Sequence, residues 1–400
     1  MRILFICLLF SPFLAFNQTL EGLWRCEIPT TMGLLPFHIL IEKQGNTLKA
    51  FSKNADEKLP LDAIETKGDS ILIRMDIFDA VIKVKQKNTT LTGSFTKRLG
   101  NLSYRTVPLK AQKGDATRFK TTVNTTKHVV SGTYEITFRD TENTYAAVGI
   151  FTQNQTDVKG TFLTNTGDYR YLQGNIVGDS LKLSCFDGNH VFLFKAKIVG
   201  DKLQGGYFGF KMLGHEPWEG FKNSKAKLSD AYSLTYLKPG FEKLAFSFKN
   251  TDGSLVSLED PQFKNKVTIV QIMGSWCPNC MDETKYLSGF YKKNKQIAIV
   301  GLAFEKMDTE EFAFPKINKL KERFGVEYPV LLAGKNDKAD ASAKLPMLSK
   351  IISFPTTIII DKKGIVRKIH TGFNGPATGV YYDKFTKEFE AFIKILEEDK

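Results

Sequence analysis

Between about residues 18 and 225, apolar residues recur at every second position in short runs. Ala80, Ile82 and Val84 alternate with Val81, Lys83 and Lys85, and Leu181, Leu183 and Cys185 alternate with Lys182 and Ser184. A period of two puts one set of side chains on one face of a strand, so each run reads as a strand with a buried face. Gly-Asp, Asn-Thr and Asp-Gly pairs punctuate the runs and supply turn conformations. Helical periodicity is absent here. The pattern predicts antiparallel sheets, closed as barrels or stacked as sandwiches. It also repeats. Gly22-Leu23-Trp24 returns as Gly132-Thr133-Tyr134, Leu48-Lys49-Ala50 as Val158-Lys159-Gly160, and Gly68-Asp69-Ser70 as Gly178-Asp179-Ser180, each 110 positions later. Leu91-Thr92-Gly93-Ser94-Phe95 returns as Leu203-Gln204-Gly205-Gly206-Tyr207 after 112, the spacing a small loop insertion would give. Two copies of one all-β unit are expected, over residues 18–115 and 116–225.

A polar stretch over 226–240, ending Lys238-Pro239-Gly240, reads as a linker. From 241 to 400 the spacing changes. Phe246 to Leu258 reads as a hairpin around Asp252-Gly253, and Val267–Met273, Ile297–Phe304, Tyr328–Leu332, Thr356–Ile360 and Gly364–His370 as strands. The first two after the hairpin are nearly continuous apolar runs, interrupted only by Thr268 and Gln271, as strands buried on both faces are. Helical patterns follow Cys280, cover Glu310–Phe324 with an interruption at Pro315, cover Lys338–Ile352, and close the chain over Tyr381–Leu396. The fold class expected is therefore two antiparallel all-β repeats followed by an α/β domain. The order of its elements is that of a thioredoxin fold with an N-terminal hairpin and a central insertion.

Composition changes this picture little: 42% hydrophobic and 25% charged residues with no low-complexity tract are globular values, and 400 residues exceed a single core. Met1-Arg2 precedes an apolar run from Ile3 to Phe16, which reads as a secretory signal over 1–17, too short for a comfortable membrane span. Cleavage is expected near Ala15 to Asn17. Cys7 lies inside the run rather than just before a mature start, so no acyl anchor is expected, and membrane contact through an uncleaved N-terminus is the less favoured alternative. The expected location is periplasmic or otherwise extracytoplasmic. The net charge of +13 comes from Lys and Arg scattered among Asp and Glu, without a basic block, which favours a solvated basic surface over nucleic-acid binding. Five Asn-X-Ser/Thr sequons, at Asn17, Asn88, Asn101, Asn124 and Asn154, would matter only in a eukaryotic secretory pathway.

The candidate chemistry is Trp276-Cys277-Pro278-Asn279-Cys280, directly after the apolar run Val267–Met273 and directly before a helical pattern. A strand, a short turn and a helix opening on a thiol are implied. A helix N-terminus offers unpaired N–H groups and a partial positive charge, which favour a thiolate. A second thiol three positions on can displace the first from a mixed disulfide. Cys277 is thus the attacking thiol and Cys280, one turn deeper, the resolving one. A zinc site would need a second ligand pair, but His38, His128, His190, His215 and His370 are single and scattered, so neither metal nor cofactor is expected. Trp276 is expected to cover one side of the disulfide. Cys26 shares a strand face with Trp24 and Ile28, and Cys185 shares one with Leu181 and Leu183. Their equivalents in the other repeat are Ile136 and Met75, so packing is favoured over a bridge between them.

Trp-Cys-Pro-Asn-Cys, the Phe354-Pro355-Thr356-Thr357 segment before a buried strand and the turn Asp361-Lys362-Lys363-Gly364 together resemble the TlpA/ResA-type thioredoxin-like thiol–disulfide oxidoreductases of the bacterial envelope. The resemblance covers about 160 residues. The preceding repeats, where Asp168-Tyr169-Arg170-Tyr171 leads on to Cys185-Phe186-Asp187-Gly188, look like the all-β extension of some members. The resemblance implies that Pro355 is a cis-proline facing the disulfide and that the backbone of Phe354 aligns a substrate strand. It also implies an acid–base role for Glu283, which flanks the apolar stripe of Met281, Leu287 and Phe290. Thioredoxins proper carry a buried aspartate on the preceding strand where this chain has Gln271, a departure that shifts proton handling to Glu283. The implied partners are protein disulfide or dithiol clients and an envelope electron donor or acceptor, with reduction the favoured direction. Two other readings compete. A peroxiredoxin-like peroxidase shares the fold, but Met273-Gly274-Ser275-Trp276 lacks the proline such a site places before its cysteine. An envelope binding protein with an accessory redox domain would need a ligand site in 18–225, and no motif marks one there.

Overall fold

The computed structural model describes residues 19–99, 103–121, 125–140, 143–209 and 215–399. The expected leader and the sequons at Asn17, Asn101 and Asn124 lie outside the described residues. Among the described residues no helix is long and apolar enough to cross a membrane.

The alternating runs form antiparallel sheets. In the first, the strand Gly22–Thr30 pairs with Gly33–Gln44 on one side and Tyr104–Lys113 on the other. Trp24, Cys26 and Ile28 point to one core, as do Ala80, Ile82 and Val84. The nine strands end on Glu57–Pro60 and Ala63–Lys67, which do not pair, so the sheet is an open half-barrel. The second closes. Gly132–Arg139 pairs with Thr144–Asn154 and Glu216–Lys222, Thr144–Asn154 pairs onward with Asp157–Thr164, and that strand with Leu172–Val177, completing a ring of eight strands. Its interior is solid with aromatic rings: Phe138 packs against Phe162, Phe194, Tyr207 and Trp218 at centroid distances of 5.3 to 6.3 Å. The two units share their opening geometry, since Gly22 and Gly132 both hold φ of 126°, where a Cβ would crowd Lys113 and Lys222 respectively.

What differs is the seam. In the half-barrel it is filled by the barrel's strand Ser180–Phe186. Phe186 stacks on Phe37 at 4.2 Å and meets Phe95 edge-on at 5.4 Å. Its carbonyl accepts hydrogen bonds from Ser52 and, at 2.7 Å, from Asn54 Nδ2. Ser184, on the polar side of the alternating run, is buried there too, its Oγ donating to Pro36 O at 2.6 Å. Cys26 and Cys185 are both buried thiols without a bridge, in separate cores.

The C-terminal unit is a seven-stranded sheet in the order Leu255–Ser257, Ser247–Asn250, Val330–Lys335, Ala298–Glu305, Thr268–Met273, Thr356–Ile360, Val366–Thr371. Thr268–Met273, Ala298–Glu305 and Val330–Lys335 are parallel, and Thr356–Ile360 is antiparallel to the first of them. Helices α1 (Pro278–Lys293), α2 (Glu310–Phe324), α3 (Lys338–Lys344) and α4 (Val380–Glu398) complete it. Two helix expectations need correction. α2 runs through Pro315 without a break; the missing N–H sits in the second turn, where the carbonyl it would have served belongs to exposed Glu311. α3 stops at Lys344 instead of reaching Ile352, because Leu345 precedes Pro346 and takes φ −125°, ψ 66°. The stretch after Lys222 is not a free tether. Ala231 O accepts from Thr371 N at 3.0 Å, Tyr236 O from Ser349 N at 2.7 Å and Met347 O from Lys238 N at 2.8 Å, which strap it along the α/β unit.

Candidate active site

The strand Thr268–Met273 is buried at every residue and delivers the chain to Gly274-Ser275-Trp276. The turn there is tight: a Cβ on Gly274 would lie 2.3 Å from Trp276 Nε1 and 2.9 Å from Phe304 O. Cys277 caps α1 with φ −101° and ψ 111°, Pro278 occupies its first turn, and Cys277 Sγ accepts a hydrogen bond from Cys280 N at 3.2 Å. The Cys277 thiol also lies 3.3 Å from Phe354 O, and the Phe354–Pro355 peptide bond is cis. Trp276 donates through Nε1 to Phe304 O at 2.8 Å, and its ring stands edge-on to Phe354 at 5.8 Å. Cys277 is 7% exposed and Cys280 not at all, so the first sulfur is the one a partner reaches. Burial pushes the Cys280 thiol well above its usual range, and the hydrogen bond and charge of Cys277 and the charge of Glu283 push it the same way.

Glu283 lies inside, 1% exposed. Its carboxylate accepts from Thr357 Oγ1 at 2.7 Å and from Gln271 Nε2 at 2.8 Å, and Gln271 Nε2 also lies 3.3 Å from Cys280 O. Gln271 is held in turn by Thr284 Oγ1, which donates to its Oε1 at 3.0 Å. Burial outweighs these hydrogen bonds and raises the Glu283 pKa to about 7. All six residues singled out by sequence therefore meet in one cluster. A seventh, Glu305, carries no motif and was invisible in the sequence. It ends the strand Ala298–Glu305, is buried, and accepts from Ser275 N and Ser275 Oγ at 2.7 Å each, which pins the turn before Trp276.

Residues 238–383 match the Redoxin family. The thioredoxin-like protein YneN of Bacillus subtilis is 26% identical over 137 residues, spanning 34% of this chain and 73% of that protein. The thiol-disulfide oxidoreductase ResA of Geobacillus thermodenitrificans is 30% identical over 114 residues, 28% of this chain and 57% of that protein, so the chain spans little more than half of that relative's length. Among solved structures, a thioredoxin-family thiol:disulfide interchange protein from Chlorobium tepidum aligns over 39% of this chain and 95% of its own at 22% identity, with a TM-score of 0.30. The C-terminal half is a TlpA/ResA-type thioredoxin-like domain. It is a thiol–disulfide oxidoreductase domain preceded by an all-β region outside the matched span.

That all-β region reaches the cysteines of the thioredoxin-like domain. The barrel segment 165–170 lies against the turn between them: Asn279 Nδ2 donates to Asp168 O at 3.1 Å, Arg170 Nη1 to Pro278 O at 3.2 Å, and Ser353 Oγ to Thr166 O at 2.8 Å. Asp168 is buried, accepts from Gly375 N at 2.5 Å, and has a pKa raised to about 6 by burial and by the neighbouring charge of Asp282. Sequence reasoning assigned no site residue to 18–225. The one visible trace was the Asp168–Tyr171 and Cys185–Gly188 segments, which resembled the family's extension without a diagnostic motif.

Proposed function

We propose that this protein is an extracytoplasmic thiol–disulfide oxidoreductase that reduces disulfides in protein clients through Cys277 and Cys280. The observation that carries the reading is the pairing of a cap thiol, within 3.2 Å of Cys280 N and 3.3 Å of Phe354 O, with a deeper cysteine joined through Gln271 to a buried glutamate whose charge acts on its thiol. Cys277, as thiolate, attacks one sulfur of a client disulfide. The client S–S bond breaks, a Cys277–client disulfide forms, and one client thiolate leaves. Cys280 then loses its proton to Glu283 and attacks Cys277 Sγ. The enzyme disulfide closes, the second client thiolate leaves, and two electrons have passed from enzyme to client. A carboxylate titrating near 7 holds or takes that proton at working pH. Phe354 and Pro355 align the client beside the sulfur, and Trp276 shields its other side. An envelope dithiol must then reduce the Cys277–Cys280 disulfide. The leader-like segment 1–17 and the family resemblance support the location and the direction.

The test is a trapping experiment on the full chain. Cys280→Ser should accumulate a covalent client adduct that dithiothreitol releases, and Cys277→Ser should form none and turn nothing over. Turnover surviving in Cys277→Ser would overturn the reading. An equilibrium potential for the pair above that of glutathione would reverse the assigned direction.

A further inference from the structure

Between the barrel and the thioredoxin-like domain lies an open cleft of about 560 Å³, within the size range of ligand-binding clefts. One wall carries Trp276, Cys277 and Phe354; the other carries Tyr169, Phe192 and Tyr207 from the barrel. We infer that the barrel mouth is the second wall of the client site, and that it selects an extended segment bearing an aromatic residue next to the disulfide cysteine. This deepens the exchange reading and rests on it.

The barrel rings are fixed before any client arrives. The Tyr169 hydroxyl bonds to that of Tyr145 at 2.9 Å, which satisfies its polar end, and its ring lines the cleft while packed against Phe192 and Tyr207. Phe192 is clamped between the Tyr169 ring at 5.2 Å and the His190 ring, which stacks on it at 4.7 Å while His190 Nδ1 lies 3.0 Å from Asp187 Oδ2. Tyr207, in the wall itself, is backed by Phe194, which stacks on it at 5.0 Å. A slot walled on both sides by aromatic rings rewards a planar apolar side chain beyond the area it buries, because rings pair edge-to-face or offset. Exchange at two sulfurs needs none of these barrel rings; recognition of what flanks the sulfur does.

Access argues for an extended client. Barrel residues are hydrogen-bonded to the thioredoxin-like domain on both sides of the sulfur, Thr166 to Ser353 and Asp168 to Asn279. With Cys277 at 7% exposure, a folded protein surface cannot lie flat on it, and a strand threaded through the cleft can reach it.

Two linear peptides test this. Each carries a single cysteine as its glutathione mixed disulfide, and they differ only in having Tyr or Gly before that cysteine. The full-length protein, recycled with dithiothreitol, should show a kcat/KM roughly tenfold higher for the Tyr peptide, the scale of discrimination an apolar pocket provides. Phe192→Ala should bring that ratio to within about twofold of unity, and Phe192→Leu, which keeps bulk if the alanine variant fails to fold, should lower it several-fold. Equal turnover of both peptides by the wild type, or a ratio unchanged in both variants, overturns the cleft assignment and leaves the exchange reading standing. A wild type that turns over neither peptide overturns both.

Discussion

Burial gives the Glu283 carboxyl a proton affinity suited to chemistry near pH 7, and that has a thermodynamic consequence. Glutamate titrates near 4.5 in the unfolded chain and at about 7 here. Between those values the folded chain holds a proton the unfolded chain has lost, so stability falls as pH rises through that window, and the whole penalty is present above it. At about 1.4 kcal/mol per unit, the penalty is on the order of 3 kcal/mol. Glu283→Gln keeps both hydrogen bonds, with its amide oxygen toward Gln271 and its amide nitrogen toward Thr357. Denaturant unfolding should find it more stable than wild type at pH 8 by about 1–3 kcal/mol, with the difference gone near pH 4. Stopped-flow measurement of the resolving step should show it slowed and without its pH step near 7. An equal difference at both pH values would mean the carboxyl is not held protonated. The sequence placed Glu283 on the flank of α1's apolar stripe. It did not reveal that Gln271, twelve residues earlier, reaches across to it, because a strand-to-helix contact leaves no periodic trace.

At the scale of elements, period-two and apolar-run patterns found the strands well, because burial of one or both faces leaves its mark on every residue of a strand. Helix ends were less legible: Lys338–Ile352 looks helical until Pro346 is weighed. The open seam of the half-barrel was not legible, since the residue filling it, Phe186, is more than 130 positions from the Ser52 and Asn54 it bonds. The contact of the barrel with α1 escaped for the same reason, yet its local requirement is sharp. Gly167 holds φ of 134°, and a Cβ there would sit 2.1 Å from Asn279 Nδ2 and 3.3 Å from Phe373 O. Gly167→Ala should cost roughly 1–3 kcal/mol and lift the segment 165–170 off the turn between the cysteines. Alkylation of Cys277 by iodoacetamide should then run several-fold faster. Gly178→Ala is the control: φ is 59° but nothing lies within 4 Å, so it should lose stability without changing alkylation. Equal alkylation in both variants would show that the barrel does not shield the sulfur.

Across the whole molecule, one guanidinium ties the three units together. Arg170 belongs to the barrel. Its Nη2 lies 2.6 Å from Glu57 of the half-barrel and its Nε 3.3 Å from Asp187 of the barrel, while Nη1 bonds to Asp282 of α1 and, at 3.2 Å, to Pro278 O. The side chain is 3% exposed, and the residue holds a left-handed φ of 59°, supported by Asp168 Oδ1, which accepts from its N–H at 2.6 Å. The residues joined stand more than 110 positions from Arg170 on either side, at Glu57 and Asp282, so no local pattern could have paired them. A planar fork with five donors can serve three carboxylates at once, and an ammonium cannot. Removing it strands buried negative charge, typically a loss of about 3–5 kcal/mol. Arg170→Met should therefore unfold at lower denaturant at pH 8, and Arg170→Lys should recover little. Without the cation the carboxylates gain stability by holding protons, so the deficit should shrink as pH falls toward 5; Asp168, already raised to about 6, takes one first. Small-angle scattering at pH 8 should also show a larger radius for Arg170→Met, because the same side chain holds the barrel mouth over Cys277. A variant that lost stability but kept the wild-type radius and peptide selectivity would confine Arg170 to the barrel's own folding and leave the docking to Asp168 and Asn279.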